Sequence, residues 1–135
     1  MGSKWYFGAK PVTVDGIKFD SKNESLRYGF LKLMEQQGAI KDLRCHVKYE
    51  LFPPIIVEEV KHLKTKDKIV QRVDQKAIVY TPDFVYIKTA TGEEVIEDYK
   101  GSEKYAAADS KLRMRIFYAI FKKKVRVVEK PTEAV

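Results

Sequence analysis

The chain has 135 residues, 44% of them apolar, and its 26 Lys and Arg outnumber 19 Asp and Glu for a formal charge of +7. This length excludes two independent domains and allows one core that buries about two thirds of the extended-chain surface. The apolar content excludes a disordered basic tail, and the charge favours encounter with nucleic acid or an anionic membrane without establishing either.

Residues 1–20 suggest an N-terminal hairpin or arm folded about the Asp15-Gly16 turn signal, with Trp5, Tyr6 and Phe7 expected in core or dimer packing rather than stacked on bases. Ser21 and Glu24 have capping-box spacing, Gly38 suits a C-cap, and Leu26, Phe30, Leu33 and Met34 recur at helical spacing, so a helix is predicted over 22–37. The following DLRCHVKYELFPPIIVEEV is extended in character, but Pro53-Pro54 divides it into two strands or one strand with an irregular edge. Residues 61–76 hold six Lys or Arg against two Asp and are expected to form a mobile basic loop flanking a short strand.

Residues 77–88 and 93–100 form a predicted hairpin about the Thr91-Gly92 turn signal. A second helix is predicted from Ala106 to Phe121, with Leu112, Ile116, Ile120, Phe117 and Phe121 on one broad face. The segment KKKVRVVEK supplies a last strand, and 131–135 is expected to be a flexible tail. This order suits one α/β domain over 1–135, a mixed sheet covered by two helices.

Cys45 is the single cysteine, so no intrachain disulfide is possible, and His46 and His62 are too few for a conventional Cys/His zinc site. The N-terminus lacks a signal-peptide pattern and no apolar run approaches the ~20 residues of a membrane span, so a cytoplasmic location without membrane association is expected.

Side chains alternate along a strand, so Asp98 and Lys100 share a face, and Glu97 takes the other. A two-residue turn at Ala90-Thr91 or Thr91-Gly92 places Asp83 opposite Asp98 or Lys100, with both carboxylates and the lysine together. Neighbouring carboxylates resist joint ionisation, and a hard divalent cation, Mg²⁺ or Mn²⁺ rather than zinc, holds both ionised. The plainer alternative is an ion-paired rim. Glu24 likewise has two readings, a capping box with Ser21 or a third carboxylate aimed at the sheet beside Tyr28 and Leu31.

Pro82-Asp83 followed by Asp98-Tyr99-Lys100, with Glu24 on the preceding helix, resembles the PD-(D/E)xK nuclease superfamily and its restriction-endonuclease-like α-β-β-β-α-β core. The segments FDSKNESLRY at 19–28, PDF at 82–84 and EDYKG at 97–101 resemble a family of small phage-encoded Holliday-junction-resolvase-like endonucleases, over about residues 5–128. The resemblance implies Glu24, Asp83 and Asp98 as ligands of Mg²⁺ or Mn²⁺, the Tyr99 carbonyl completing the shell, and Lys100 orienting water or neutralising charge. It implies a metal-dependent endodeoxyribonuclease leaving a 5′-phosphate, with a four-way junction as first substrate and a homodimer to make two opposed cuts. A duplex-specific or nicking endonuclease, or an inactive DNA-binding protein of the same fold, is the alternative. Lys104, Lys111, Arg113 and Arg115, with Lys64 and Lys66 in the basic stretch, are the candidate DNA contacts.

Overall fold

Asp15 and Gly16 adopt left-handed backbone, φ 53° and 77°, and turn β1 (Val12–Val14) directly into antiparallel β2 (Ile17–Phe19). The computed structural model describes residues 10–100 and 108–135, so Trp5, Tyr6, Phe7 and Lys104 lie outside the described residues. Helix α1 (Lys22–Gln36) begins where the Ser21 hydroxyl accepts the Glu24 N–H at 3.1 Å. It ends through Gly38 at φ 83°, where the N–H groups of Gly38 and Ala39 donate back to Glu35 and Met34.

The chain then runs through β3 (Ile40–Cys45), β4 (Tyr49–Phe52), β5 (Ile55–His62), β6 (Asp67–Gln75), β7 (Ile78–Tyr80), β8 (Phe84–Lys88), β9 (Glu94–Tyr99), α2 (Ala108–Phe121) and β10 (Val125–Val128). The central sheet has the order β10-β9-β8-β3, with β10 parallel to β9 and the other neighbours antiparallel. Helix α1, strands β3, β8 and β9, helix α2 and strand β10 give the restriction-endonuclease-like succession α-β-β-β-α-β in a mixed sheet flanked by two helices. β4 and β7 form a separate short pair beneath α2.

Alternation along β8 and β9 sorts the core into two layers. Phe84, Tyr86 and Val95 pack with Phe19, Tyr28 and Leu31 beneath α1, whereas Val85 and Ile96 pack with Tyr80 and Phe117 on the α2 side. Phe84 pairs with Glu97, so the step beyond the ladder carries Asp83 toward Asp98, in one of the two registers expected. The connection is longer than a two-residue turn: residues 89–92 form the loop, closed by the Gly92 N–H on the Lys88 carbonyl.

Some expectations change. Residues 61–76 are not a mobile loop: β5 and β6 make a long antiparallel ribbon, because Ile55, Ile56, Val57, Val60, Ile69, Val70 and Val73 favour extended backbone on both sides of a turn at 63–66. The buried stripe of α1 is Glu24, Arg27, Tyr28 and Leu31, while Leu26 and Leu33 are exposed. On α2 Phe117 is buried and Leu112 and Ile120 face outward. Residues 131–135 meet two arginines: the carbonyls of Pro131 and Glu133 accept from buried Arg27, and the Ala134 carbonyl accepts from half-buried Arg126.

The displacement of the α1 stripe has a polar cause. Arg27 is fully buried and forks onto both oxygens of the equally buried Glu97 at 2.7 and 2.8 Å, and the Tyr86 hydroxyl donates to the same carboxylate at 2.7 Å. Such a pair is costly to break from one side. Urea unfolding should show Arg27→Met or Glu97→Leu alone losing about 3–5 kcal/mol, with the double substitution costing clearly less than their sum.

Candidate metal centre

The functional side chains meet where α1 begins, β9 ends and the β7–β8 connection crosses. Capping by Ser21 starts α1 so that Glu24 falls on its buried side, only 4% exposed. Pro82 and Asp83 link β7 to β8, and the Asp83 carboxylate accepts the Tyr99 N–H at 2.7 Å, tying the connection to the end of β9. Asp98 is 5% exposed, and its Oδ2 accepts the Tyr80 hydroxyl at 3.1 Å and lies 3.3 Å from the Lys100 ammonium. Lys100 is held in turn: its N–H donates to the Val128 carbonyl, continuing the β9–β10 ladder, and its Nζ donates to Ser110 Oγ at 3.1 Å.

On the other side of Asp83 stands His46, left-handed at φ 53°, whose N–H donates to the Asp83 carbonyl at 3.0 Å. Its ring rests near Phe19, centroids 5.6 Å apart, and Nε2 lies 3.8 Å from Glu24 Oε2. Glu24, His46 and Asp83 each present a ligand atom within 4.8 Å of the others, a candidate metal-binding triad. Glu24, Asp83, Asp98 and Lys100 border a cleft of about 400 Å³ that is also lined by the start of α2, with Asp109, Ser110 and Arg113; His46 stands behind Glu24 and Asp83 and does not line it.

Burial first, then the charges of Asp98 and Glu24, push the Asp83 carboxyl up to about 9. Burial again, followed by Asp20 and more weakly Asp98, pushes Glu24 up to about 7. Tyr80 is raised by burial and by the Asp98 charge. Cys45 rises to about 11, chiefly through burial with a contribution from Glu24.

The residues fit a hard divalent cation on their own chemistry. Among the described residues Glu24 Oε2 is buried without a hydrogen-bond donor, and the carboxylates of Glu24, Asp83 and Asp98 crowd a site where Lys100 pairs with Asp98. Relief comes from protons or from a dication.

Glu24, Asp83, Asp98, Tyr99 and Lys100, singled out from the sequence, all border this one cleft. The Glu24 carboxylate turns into it while its N–H takes the Ser21 cap, so the capping and site readings of this residue coexist. Glu97 faces the opposite layer, as alternation requires. Of the four basic residues expected around helix two, Arg113 lines the cleft and donates to the Val79 carbonyl, Lys111 and Arg115 are exposed and do not line it, and Lys104 is outside the described residues. Lys64 and Lys66 sit in the exposed turn of the β5–β6 ribbon, away from the cleft.

Sequence reasoning missed His46, Tyr80 and Ser110 as members. The signal for His46 is a register: Cys45 pairs with Phe84, so the next residue back along that ladder meets Asp83. Nothing in the sequence alone announces that β3 pairs with β8.

Fold and site together define a restriction-endonuclease-like α/β domain with a candidate Glu24/His46/Asp83 metal triad. The chain belongs to the family described as "Protein of unknown function (DUF1064)", which matches residues 3–132. No curated protein and no solved structure matches it.

Raised carboxyl values make metal-free stability pH-dependent. Because the folded values exceed the ordinary ones, this contribution is present in full below about pH 4 and is lost as pH rises through about 7 for Glu24 and about 9 for Asp83. Metal-free protein should therefore unfold at lower urea at pH 9 than at pH 5. At pH 9 Asp83→Asn should stabilise it by on the order of 2 kcal/mol, with the gain vanishing at pH 4.

Proposed function

We propose that this protein is a metal-dependent endodeoxyribonuclease whose preferred substrate is branched DNA, foremost a four-way junction. The observation that supports this reading is the convergence of Glu24, Asp83, Asp98 and Lys100 on one cleft, from a helix, the β7–β8 connection and the end of β9, which lie far apart in sequence. A pure binding surface has no need for three crowded carboxylates in a basic protein.

Glu24, Asp83 and Asp98, with the Tyr99 carbonyl, would hold Mg²⁺ or Mn²⁺, which supplies Lewis-acid stabilisation of phosphoryl oxygen charge and a more acidic water. The chain's own groups do the rest. Tyr80 fixes the orientation of Asp98, while Ser110 and Asp98 hold the Lys100 ammonium beside the reacting phosphate, where it orients water or neutralises charge growing on oxygen. Arg113 adds positive charge to the α2 wall of the cleft. Water adds to phosphorus, the bond from phosphorus to the 3′ oxygen breaks, and that oxygen takes a proton, leaving a 3′-hydroxyl and a 5′-phosphate.

Two opposed cuts call for a two-fold dimer. The β5–β6 ribbon offers it a surface: Ile56, Val60, Ile69 and Val73 are each more than half exposed on one face, and a lone two-stranded ribbon is marginal in water. A two-fold axis along the ribbon sets Ile56 on the partner's Val73, Val60 on the partner's Ile69, and Glu58 on the partner's Gln71, so apolar rows meet and like charges do not.

Cleavage of matched four-way junction, duplex and single strand should require Mg²⁺ or Mn²⁺, favour the junction, and fall at least about 100-fold with Asp98→Ala or Lys100→Ala. Binding without cutting by the wild type under these conditions would replace the enzyme with a DNA-binding role. Light scattering should give a dimer mass for the wild type and a monomer mass for the Val60→Lys, Ile69→Lys protein.

A further inference from the structure

Glu24, Asp83 and Asp98 do not have equivalent surroundings. Asp98 Oδ2 accepts the Tyr80 hydroxyl and is ion-paired with the Lys100 ammonium. Glu24 is the reverse, with Oε2 buried and no donor to it among the described residues. What faces that oxygen is the His46 imidazole at 3.8 Å, too far for a hydrogen bond. The separation is nevertheless inside the ~4.2 Å that two ligand atoms span across one cation at about 2.1 Å from each.

We infer that Glu24, His46 and Asp83 form a nitrogen-bearing cation seat on the side of Asp83 away from Lys100, and that this seat takes a first-row transition dication such as Mn²⁺ in preference to Mg²⁺. The inference rests on the metal-dependent reading proposed above and deepens it. Asp83 is common to both groups: one oxygen takes the Tyr99 N–H, its carboxylate comes within 4.8 Å of the Glu24 and His46 ligand atoms, and it also feels the charge of Asp98. The Glu24/His46/Asp83 set does not include Asp98, so the imidazole serves a position displaced toward α1 and Phe19.

His46 is built for this position rather than free to leave it. Its left-handed backbone is uncommon for a residue with a Cβ, and it is held by the N–H bond to the Asp83 carbonyl. Phe19, itself fully buried, backs the ring. Ring and carboxylate are thus placed by the same β3–β8 ladder that sets Asp83. Mg²⁺ prefers all-oxygen octahedral shells and keeps much of its water, whereas imidazole nitrogen suits transition dications. An imidazole in the shell therefore shifts the preference of the whole cleft toward Mn²⁺.

The test uses the full chain and Mn²⁺ alone as probe. Pulsed electron paramagnetic resonance of the bound Mn²⁺ should show ¹⁴N modulation from a directly bonded imidazole, changing to the ¹⁵N pattern in protein grown with ¹⁵N-histidine. His46→Gln should remove that modulation and weaken Mn²⁺ at least about 10-fold, while changing the competing Mg²⁺ constant by no more than about 3-fold. The wild-type spectrum decides even if the variant folds poorly. Bound Mn²⁺ without nitrogen coupling would overturn the seat and leave the nuclease reading standing. Failure of the wild type to bind either cation would overturn both.

Discussion

The buried fork between Arg27 and Glu97 is the constraint on which the site depends. Arg27 lies one turn along α1 from Glu24, and Glu97 is the neighbour of Asp98 on β9. Clamping the guanidinium to the carboxylate fixes the helix against the strand, and the adjacent residue on each element is delivered to the cleft. Fully buried ion pairs seldom add net stability over apolar packing, yet they specify a single geometry when all their polar atoms are satisfied. Here they are, through Tyr86 and through the carbonyls of Pro131 and Glu133. The last residues of the chain thereby reach back to the first helix.

Against that rigid frame the cleft is frustrated. Burial and mutual repulsion hold Glu24 and Asp83 toward their protonated forms, and the lysine on hand is committed to Asp98 and Ser110. A fold stabilised by two apolar layers tolerates such a patch at the sheet's end, where β9 runs out and the Pro82-Asp83 connection crosses. The same crowding that weakens the metal-free protein supplies the field that binds a dication, so stability and cation affinity are opposed at these residues.

Much of this could be read in advance because it follows from local rules. The Ser21 cap, the Asp15-Gly16 turn and the period-two alternation of β9 each depend on a few adjacent residues, and together they place Glu24, Asp98 and Lys100. What could not be read depends on pairing between distant segments. The β5–β6 ribbon was obscured because its lysines resemble a solvated loop while its β-branched residues lie in two separated runs. The sheet-facing side of α1 with Glu24, Tyr28 and Leu31 is legible, but the burial of Arg27 is not, because only the presence of Glu97 across the sheet explains why an arginine is inside. His46 escaped for the same reason, since its role exists only once β3 is laid beside β8.

The central claim is that these carboxylates act jointly on one divalent cation, and isothermal calorimetry addresses it without any assumption about the DNA substrate. Mn²⁺ titrated into wild-type protein at pH 8, beside Asp83→Ala, removing the carboxylate that joins Glu24 and His46 and also feels the charge of Asp98, gives the comparison. The account requires saturable binding to the wild type that is lost in the variant. Equal binding by both proteins, or none by either, would contradict it.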